Sequence, residues 1–249
     1  MRFNRLSAPA LPFDAVVPPA DSQLESAVFA RQEDGPVAVF APLHYEPGYA
    51  YPLLIWLHGP GLDESQLRRV MPLVSMRNYA AVAPRAPGVG PGGSRYWPQS
   101  DDAIDEAEAC VWQALAAAEN RFQVHRSRRF LVGYGCGGTM AVRLALRHPD
   151  RFAGAATLGG PLPTGGAPFA RLDELRQVPL LIAAGCESDD YDSQQVCRDL
   201  RLVHSAGMNV TLRHYPCGQE LIPEMLGDLN RWLMEQVTGP PQQAAQATH

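Results

Sequence analysis

Apolar residues in this chain fall into short unbroken runs separated by stretches of helical period. Leu53–Leu57 is apolar throughout and is bounded by Pro52 and His58-Gly59, which predicts a strand buried on both faces. Ala80–Ala83, Phe130–Val132, Ala153–Leu158 and Leu180–Ala184 predict further buried strands, and Val210 and Leu212 mark a last one. Between them the spacing predicts helices. One covers 64–77. A long one is opened by Asp101 and Asp102 and runs to about Phe122, with Ile104, Ala107, Val111, Leu115 and Ala118 on one face. A third covers 137–148 and is stopped by Pro149, and a fourth carries Val196, Leu200 and Val203 and ends at Gly207. A final helix is marked by Ile222, Met225, Leu226, Leu229, Trp232 and Leu233. Upstream, β-prone runs at 25–31 and 36–41 are split by Glu33-Asp34-Gly35, the pattern of a hairpin. The Gly- and Pro-rich stretches 86–99 and 159–168 read as loops.

Strand and helix alternate from residue 52 onward. Such alternation predicts an α/β fold with a mostly parallel sheet and helices on both faces. No internal repeat or composition break divides the chain. The expectation is an irregular Pro-rich arm over 1–24, one domain over 25–237 and a disordered tail over 238–249. In sheets of this kind the working site lies at the carboxyl ends of the strands. Attention therefore goes to 58–63, 85–99, 133–138, 159–168, 185–190 and 214–220.

Composition narrows the function classes. The chain has 249 residues, of which 46% are hydrophobic and 19% charged, enough for a sizeable core. The formal charge of −5 argues against a nucleic-acid footprint. All 21 basic residues are Arg, so Schiff-base chemistry and a P-loop lysine are excluded. The five cysteines, Cys110, Cys136, Cys186, Cys197 and Cys217, fit neither a disulfide framework nor a metal site. They read as reduced thiols in a cytoplasmic protein. No apolar run is long enough to span a membrane, and residues after Arg2 and Arg5 lack a signal-peptide core. Neither cofactor nor metal is implied.

The strongest chemical signal is Phe130-Leu131-Val132-Gly133-Tyr134-Gly135-Cys136-Gly137-Gly138-Thr139, a strand entering a glycine-dense turn and then a helix. Two motifs share that context. One is the dinucleotide fingerprint, matched by Gly133, Gly135 and Gly138. That motif calls for an acidic residue at the end of the following strand, where Thr157-Leu158-Gly159-Gly160 offers none. The other is the nucleophile elbow, in which a strained turn lifts a side chain above the sheet.

The elbow, the Leu57-His58-Gly59-Pro60-Gly61 loop after the first buried strand, and Asn230-Arg231-Trp232 in the last helix together resemble the α/β-hydrolase fold. Within it, residues 36–237 resemble the phospholipase/carboxylesterase family of small esterases and thioesterases. The resemblance implies an oxyanion loop at His58, Gly59 and Gly61, completed by backbone at Cys136 and Gly137. It places the nucleophile position on Gly135, where no side chain can attack. It places the base position on Gln219, whose amide is not basic. The family acid commonly lies three residues after a glycine such as Gly185, which lands on Ser188. Asp189 is the expected acid, with Asp190 beside it. The resulting expectation is an esterase-like protein without triad chemistry, holding a small acyl or ester-like ligand or a protein partner. Alternatives are an active ester hydrolase with Cys136 as displaced nucleophile, and dinucleotide binding. Tyr96 and Trp97, in the loop above the sheet, either line a pocket or anchor the loop.

Overall fold

The computed structural model describes the backbone of 29–31 and of 172, and residues 36–166 and 173–239. The expected arm, the Glu33-Asp34-Gly35 turn and all of the expected tail beyond Gly239 lie outside these residues. One eight-stranded sheet organises the chain, in the order β1-β2-β4-β3-β7-β8-β9-β10. Its strands are β1 (Phe29–Arg31), β2 (Val37–Phe40), β3 (Tyr51–Leu57), β4 (Ala80–Pro84), β7 (Val124–Tyr134), β8 (Gly154–Leu158), β9 (Leu180–Gly185) and β10 (Val210–Tyr215). β2 is antiparallel to β1, as the hairpin pattern predicts, and is also antiparallel to β4. All other pairings are parallel. β5 (Gly88–Val89) and β6 (Arg95–Tyr96) form a separate small hairpin inside the Gly/Pro-rich stretch 86–99.

The helices are α1 (Leu67–Val74), α2 (Asp101–Arg121), α3 (Cys136–Arg147), α4 (Leu172–Leu175), α5 (Ser193–Ser205) and α6 (Pro223–Thr238). They cover both faces of the sheet, giving two cores. Ile55, Leu131 and Ile182 face one core with α2 and α3. Leu54, Trp56, Phe130 and Val132 face the other with α1 and α6. Alternate residues of one strand thus serve opposite cores, which is why these strands are apolar throughout rather than alternating.

Two elements depart from the periodicity. The helix predicted over 64–77 is a short 3₁₀ turn, Glu64–Gln66, followed by α1 ending at Val74. Ser75 is extended, and its hydroxyl accepts from the backbone N–H of Arg77 and Asn78, which stops the helix. β7 starts six residues earlier than its apolar run. Polar residues 125–128 carry the strand outward, and the β3–β7 register shifts between Tyr51 and Leu53, where Pro52 has no N–H for the ladder.

The chain order turns back across the sheet between β3 and β7. β3 is followed by β4 on one side, and the chain then returns to β7 on the other. The residues after β3 and β7 therefore meet at a switch point, where a crevice opens.

Candidate functional site

Gly135 lies between β7 and α3 with φ 54° and ψ −125°, a conformation that L side chains rarely adopt. The turn is closed by backbone. Gly135 N–H donates to the Leu158 carbonyl at 2.9 Å, and Thr139 N–H donates to the Gly135 carbonyl at 3.1 Å. Close packing requires two neighbouring glycines. A Cβ on Gly137 would sit 2.4 Å from the Leu57 carbonyl oxygen, and one on Gly138 would sit 2.4 Å from Thr157 Oγ1. The glycine density of the motif is thus explained by helix–strand contact. A Cβ on Gly135 itself would point at the Pro60 ring, 3.0 Å from its Cδ.

A cleft of about 600 Å³ opens at this turn. Pro60, Gly135, Cys136, Gly159, Arg143 and Gln219 are among its lining residues. Gln219 reaches it from the loop after β10. Its Nε2 donates to the Gly159 carbonyl at 2.6 Å, and its Oε1 accepts from the Ser188 hydroxyl. Tyr134 OH donates to the Gln219 backbone carbonyl, and burial raises the pKa of that phenol to about 12. Ser188 is buried and in turn accepts from Tyr191 N–H at 3.1 Å. Asp189 and Asp190 are exposed. The turn from Gly185 to Ser188, closed by Ser188 N–H on the Gly185 carbonyl at 3.3 Å, aims residue 188 inward. Ser188, rather than the expected acid Asp189, therefore contacts Gln219. The spacing from Gly185 points to this position, but a hydroxyl there carries no charge to mark it as an acid.

The His58–Gly61 loop differs from its expected role. Gly59 N–H donates to Gln66 Oε1 at 3.0 Å, and that oxygen also accepts from Trp56 Nε1 at 3.0 Å. Pro60 has no N–H. Gly61 N–H donates to the Arg95 carbonyl at 2.8 Å, and Leu62 N–H to the Gly59 carbonyl at 3.3 Å. The loop therefore offers the cleft no uncommitted N–H from residues 59–62, and Gly59 and Gly61 are not placed as oxyanion donors. The N–H groups of Cys136 and Gly137 remain at the N-terminus of α3, ahead of its first intrahelical bond.

His58 is fully buried. Its Nε2 accepts from Ala86 N–H at 3.0 Å, which places the ring proton on Nδ1, donating to the Gly59 carbonyl at 2.9 Å. Burial pushes its pKa below 6.5. Trp97 is likewise buried in the core, and its Nε1 donates to the His58 carbonyl at 3.1 Å. It anchors the 86–99 loop and does not line the cleft. Tyr96 is 40% exposed on β6 and is also absent from the cleft lining. The carboxylate of Glu64 holds Arg85 through two hydrogen bonds, one of 2.7 Å to Nε, fixing the start of the turn before α1 to the end of β4. Cys136 lines the cleft. Burial raises its pKa, outweighing the N–H groups of Trp97, Gly137 and Cys136 that favour the thiolate.

The far wall of the cleft is pinned at several points. Thr157 Oγ1 donates to the Gly160 carbonyl and Thr139 Oγ1 to the Pro161 carbonyl, each at 2.8 Å. Buried Asp199 accepts from Leu162 N–H at 2.8 Å, from Gln195 Nε2 at 2.7 Å and from Tyr191 OH at 3.0 Å. Arg143 holds the carbonyls of Thr164 and Gly165. The sequence signalled neither Asp199 nor Arg143, because both sit on helices whose periodicity speaks only of packing. Among the described residues no His, Cys, Asp and Glu group could hold a metal, and no helix is long and apolar enough to cross a membrane.

Comparison with known proteins bears on the family and the fold. The family model Esterase, described as "Putative esterase", matches residues 30–211. The chain belongs to that esterase family. A relative, "Putative esterase NocK" of Nocardia uniformis subsp. tsuyamanensis, is 33% identical over 155 residues, covering 57% of this chain and 43% of that protein. The match thus spans less than half of that relative's length. Among solved structures, a carboxylesterase from Mesorhizobium loti superposes with a TM-score of 0.68 at 21% identity, over 85% of this chain and 99% of that one. The Bacillus cereus carboxylesterase gives 0.67 at 17% identity, over 87% of this chain and 100% of that one. Zea mays acyl-protein thioesterase 2 gives 0.62 at 20% identity, over 82% and 99%. The fold is that of the α/β hydrolases.

Proposed function

We propose that this esterase-family chain is a non-catalytic member that keeps the cleft and uses it to hold a small acyl or ester-like molecule. The observation that carries the reading is the meeting of Gly135, Gln219 and Ser188 at one turn. Gly135 has nothing to attack with. The Gln219 amide cannot take a proton near neutral pH, and both its ends are committed to Ser188 and Gly159. Ser188 carries no charge to stabilise a protonated base. The spent N–H groups of residues 59–62 remove one side of an oxyanion hole. In a studied protease, loss of the serine or histidine alone costs about 10⁶ in turnover. Loss of one oxyanion donor costs about 10²–10³.

A displaced nucleophile at Cys136 is less well supported. Its thiol is raised by burial, and His58 is locked by hydrogen bonds at both ring nitrogens. Gly133 and Gly138, the other glycines of the dinucleotide pattern, are accounted for by packing. The same reading takes 25–237 as one domain working in the cytoplasm.

The test is hydrolysis of p-nitrophenyl acetate and butyrate. Wild type is expected to match a boiled control. The double change Gly135→Ser with Gln219→His is expected to stay silent, because position 188 lacks a carboxylate and position 60 an N–H. Adding Ser188→Asp and Pro60→Gly is expected to bring turnover above the control. Wild-type turnover that an organophosphonate or a thiol alkylator blocks would overturn the reading.

A further inference from the structure

We propose that the cleft beside Gly135 takes a small monocarboxylate, recognised by the guanidinium of Arg143. The proposal rests on the reading of the cleft as a binding rather than a hydrolytic site.

Arg143 lies on α3, seven residues after Cys136 and so roughly 10 Å along the helix from the elbow. Its guanidinium bonds Gln99 and the Thr164–Gly165 backbone, and the residue lines the same cleft as Gly135. Only 5% of Arg143 is exposed. Its acceptors are all neutral. Nε donates to Gln99 Oε1 at 3.1 Å, Nη1 to the Gly165 carbonyl at 3.0 Å and Nη2 to the Thr164 carbonyl at 2.7 Å. Among the described residues no carboxylate is hydrogen-bonded to this buried cation. Asp101 acts on it only through space and is itself exposed. A buried charge without a bonded counter-ion is costly, and here it is retained beside an open cavity. Two of the five guanidinium N–H donors remain for a ligand. A carboxylate would accept from them and supply the missing charge.

The other charged groups of the cleft do not substitute. Asp192 Oδ1 caps α5 by accepting from Gln195 N–H at 2.7 Å, and Asp190 is exposed. Arg198 is exposed and donates to Gln195 Oε1 through Nε and Nη2. They form a solvent-screened rim. Pro60, Pro161 and Leu162 supply apolar wall. One buried cation in a cleft whose wall includes Pro60, Pro161 and Leu162 suits a singly charged head on a short hydrocarbon chain better than a multiply charged anion.

The test uses the full chain with hexanoate, hexanamide, methyl hexanoate and inorganic phosphate, followed by calorimetry. In parallel, iodoacetamide labelling of Cys136 is read on its own peptide. Hexanoate is expected to bind at least tenfold more tightly than hexanamide and to slow Cys136 labelling. Arg143→Gln should remove the preference and Arg143→Lys keep part of it. Should Arg143→Gln fail to fold, the amide comparison and the protection of Cys136 decide. Equal binding of hexanoate and hexanamide, tighter binding of phosphate, or hexanoate binding that leaves Cys136 labelling unchanged would overturn the carboxylate assignment. Binding of methyl hexanoate alone would overturn it while leaving the neutral acyl-ligand reading in place. Ester turnover by wild type would overturn the latter without touching the hexanoate preference.

Discussion

Replacing Gly135 by alanine isolates what the elbow geometry costs a side chain. At φ 54° and ψ −125° a non-glycine residue carries backbone strain of about 1–3 kcal/mol. The new Cβ would also stand 3.0 Å from Pro60 Cδ, so the proline ring must give by a few tenths of an ångström. Overpacking of this kind costs roughly 1 kcal/mol at its low end. Alanine restricts the unfolded chain and returns about 0.4–1 kcal/mol. The balance is a destabilisation of about 2 kcal/mol, which for a domain of this size lowers the melting temperature by roughly 4–8 °C. Thermal denaturation of wild type, Gly135→Ala, Pro60→Gly and the double variant reads both parts. The contact is expected to appear as a coupling of about 0.5–1 kcal/mol between the two sites, with the backbone strain remaining in the double variant. A melting temperature that is unchanged or raised in Gly135→Ala would refute the reasoning.

Two further outcomes follow from buried polar groups. His58 is held neutral, with its folded pKa below 6.5, so the unfolded chain binds a proton first as the pH falls. Its contribution is complete above pH 6.5 and is lost as the pH drops through the folded value. The melting temperature should decline on acidification from that point, and less steeply in His58→Asn; parallel profiles for the two proteins would count against it. Asp199→Ala would strand Leu162 N–H, Tyr191 OH and Gln195 Nε2 beside the cleft wall. A loss of about 2–4 kcal/mol is expected in urea unfolding, and a change below 0.5 kcal/mol would show that the wall repacks without it.

Much of the sheet was legible because strands covered on both faces leave continuous apolar runs, as at Leu53–Leu57. The apolar run marks only the second half of β7; its first half is polar, and within it only Val124 pairs with β3, across the register shift at Pro52. The elbow was legible because strand, glycine turn and helix adjoin in sequence. The rest of the site was not, because its partners are distant in the chain. Ser188 meets Gln219 across 31 residues, and Trp97 meets His58 across 39. Trp97 offered two roles in sequence, and only its place under the His58 carbonyl decides for the anchor. Pro60 stood in plain view within His58-Gly59-Pro60-Gly61. The commitments of its flanking N–H groups to Gln66 and Arg95 are tertiary facts.

The contact between Pro60 and the space above Gly135 also constrains the order in which this site can change. A serine arriving at 135 meets the proline ring and inherits a strained backbone with no donor on the loop opposite. A glycine arriving at 60 frees an N–H that faces nothing able to react. A side chain at 135 thus carries a cost that depends on the residue at 60. The two positions are coupled: a side chain at 135 and the ring at 60 compete for one space, so a change at either alters what the other tolerates.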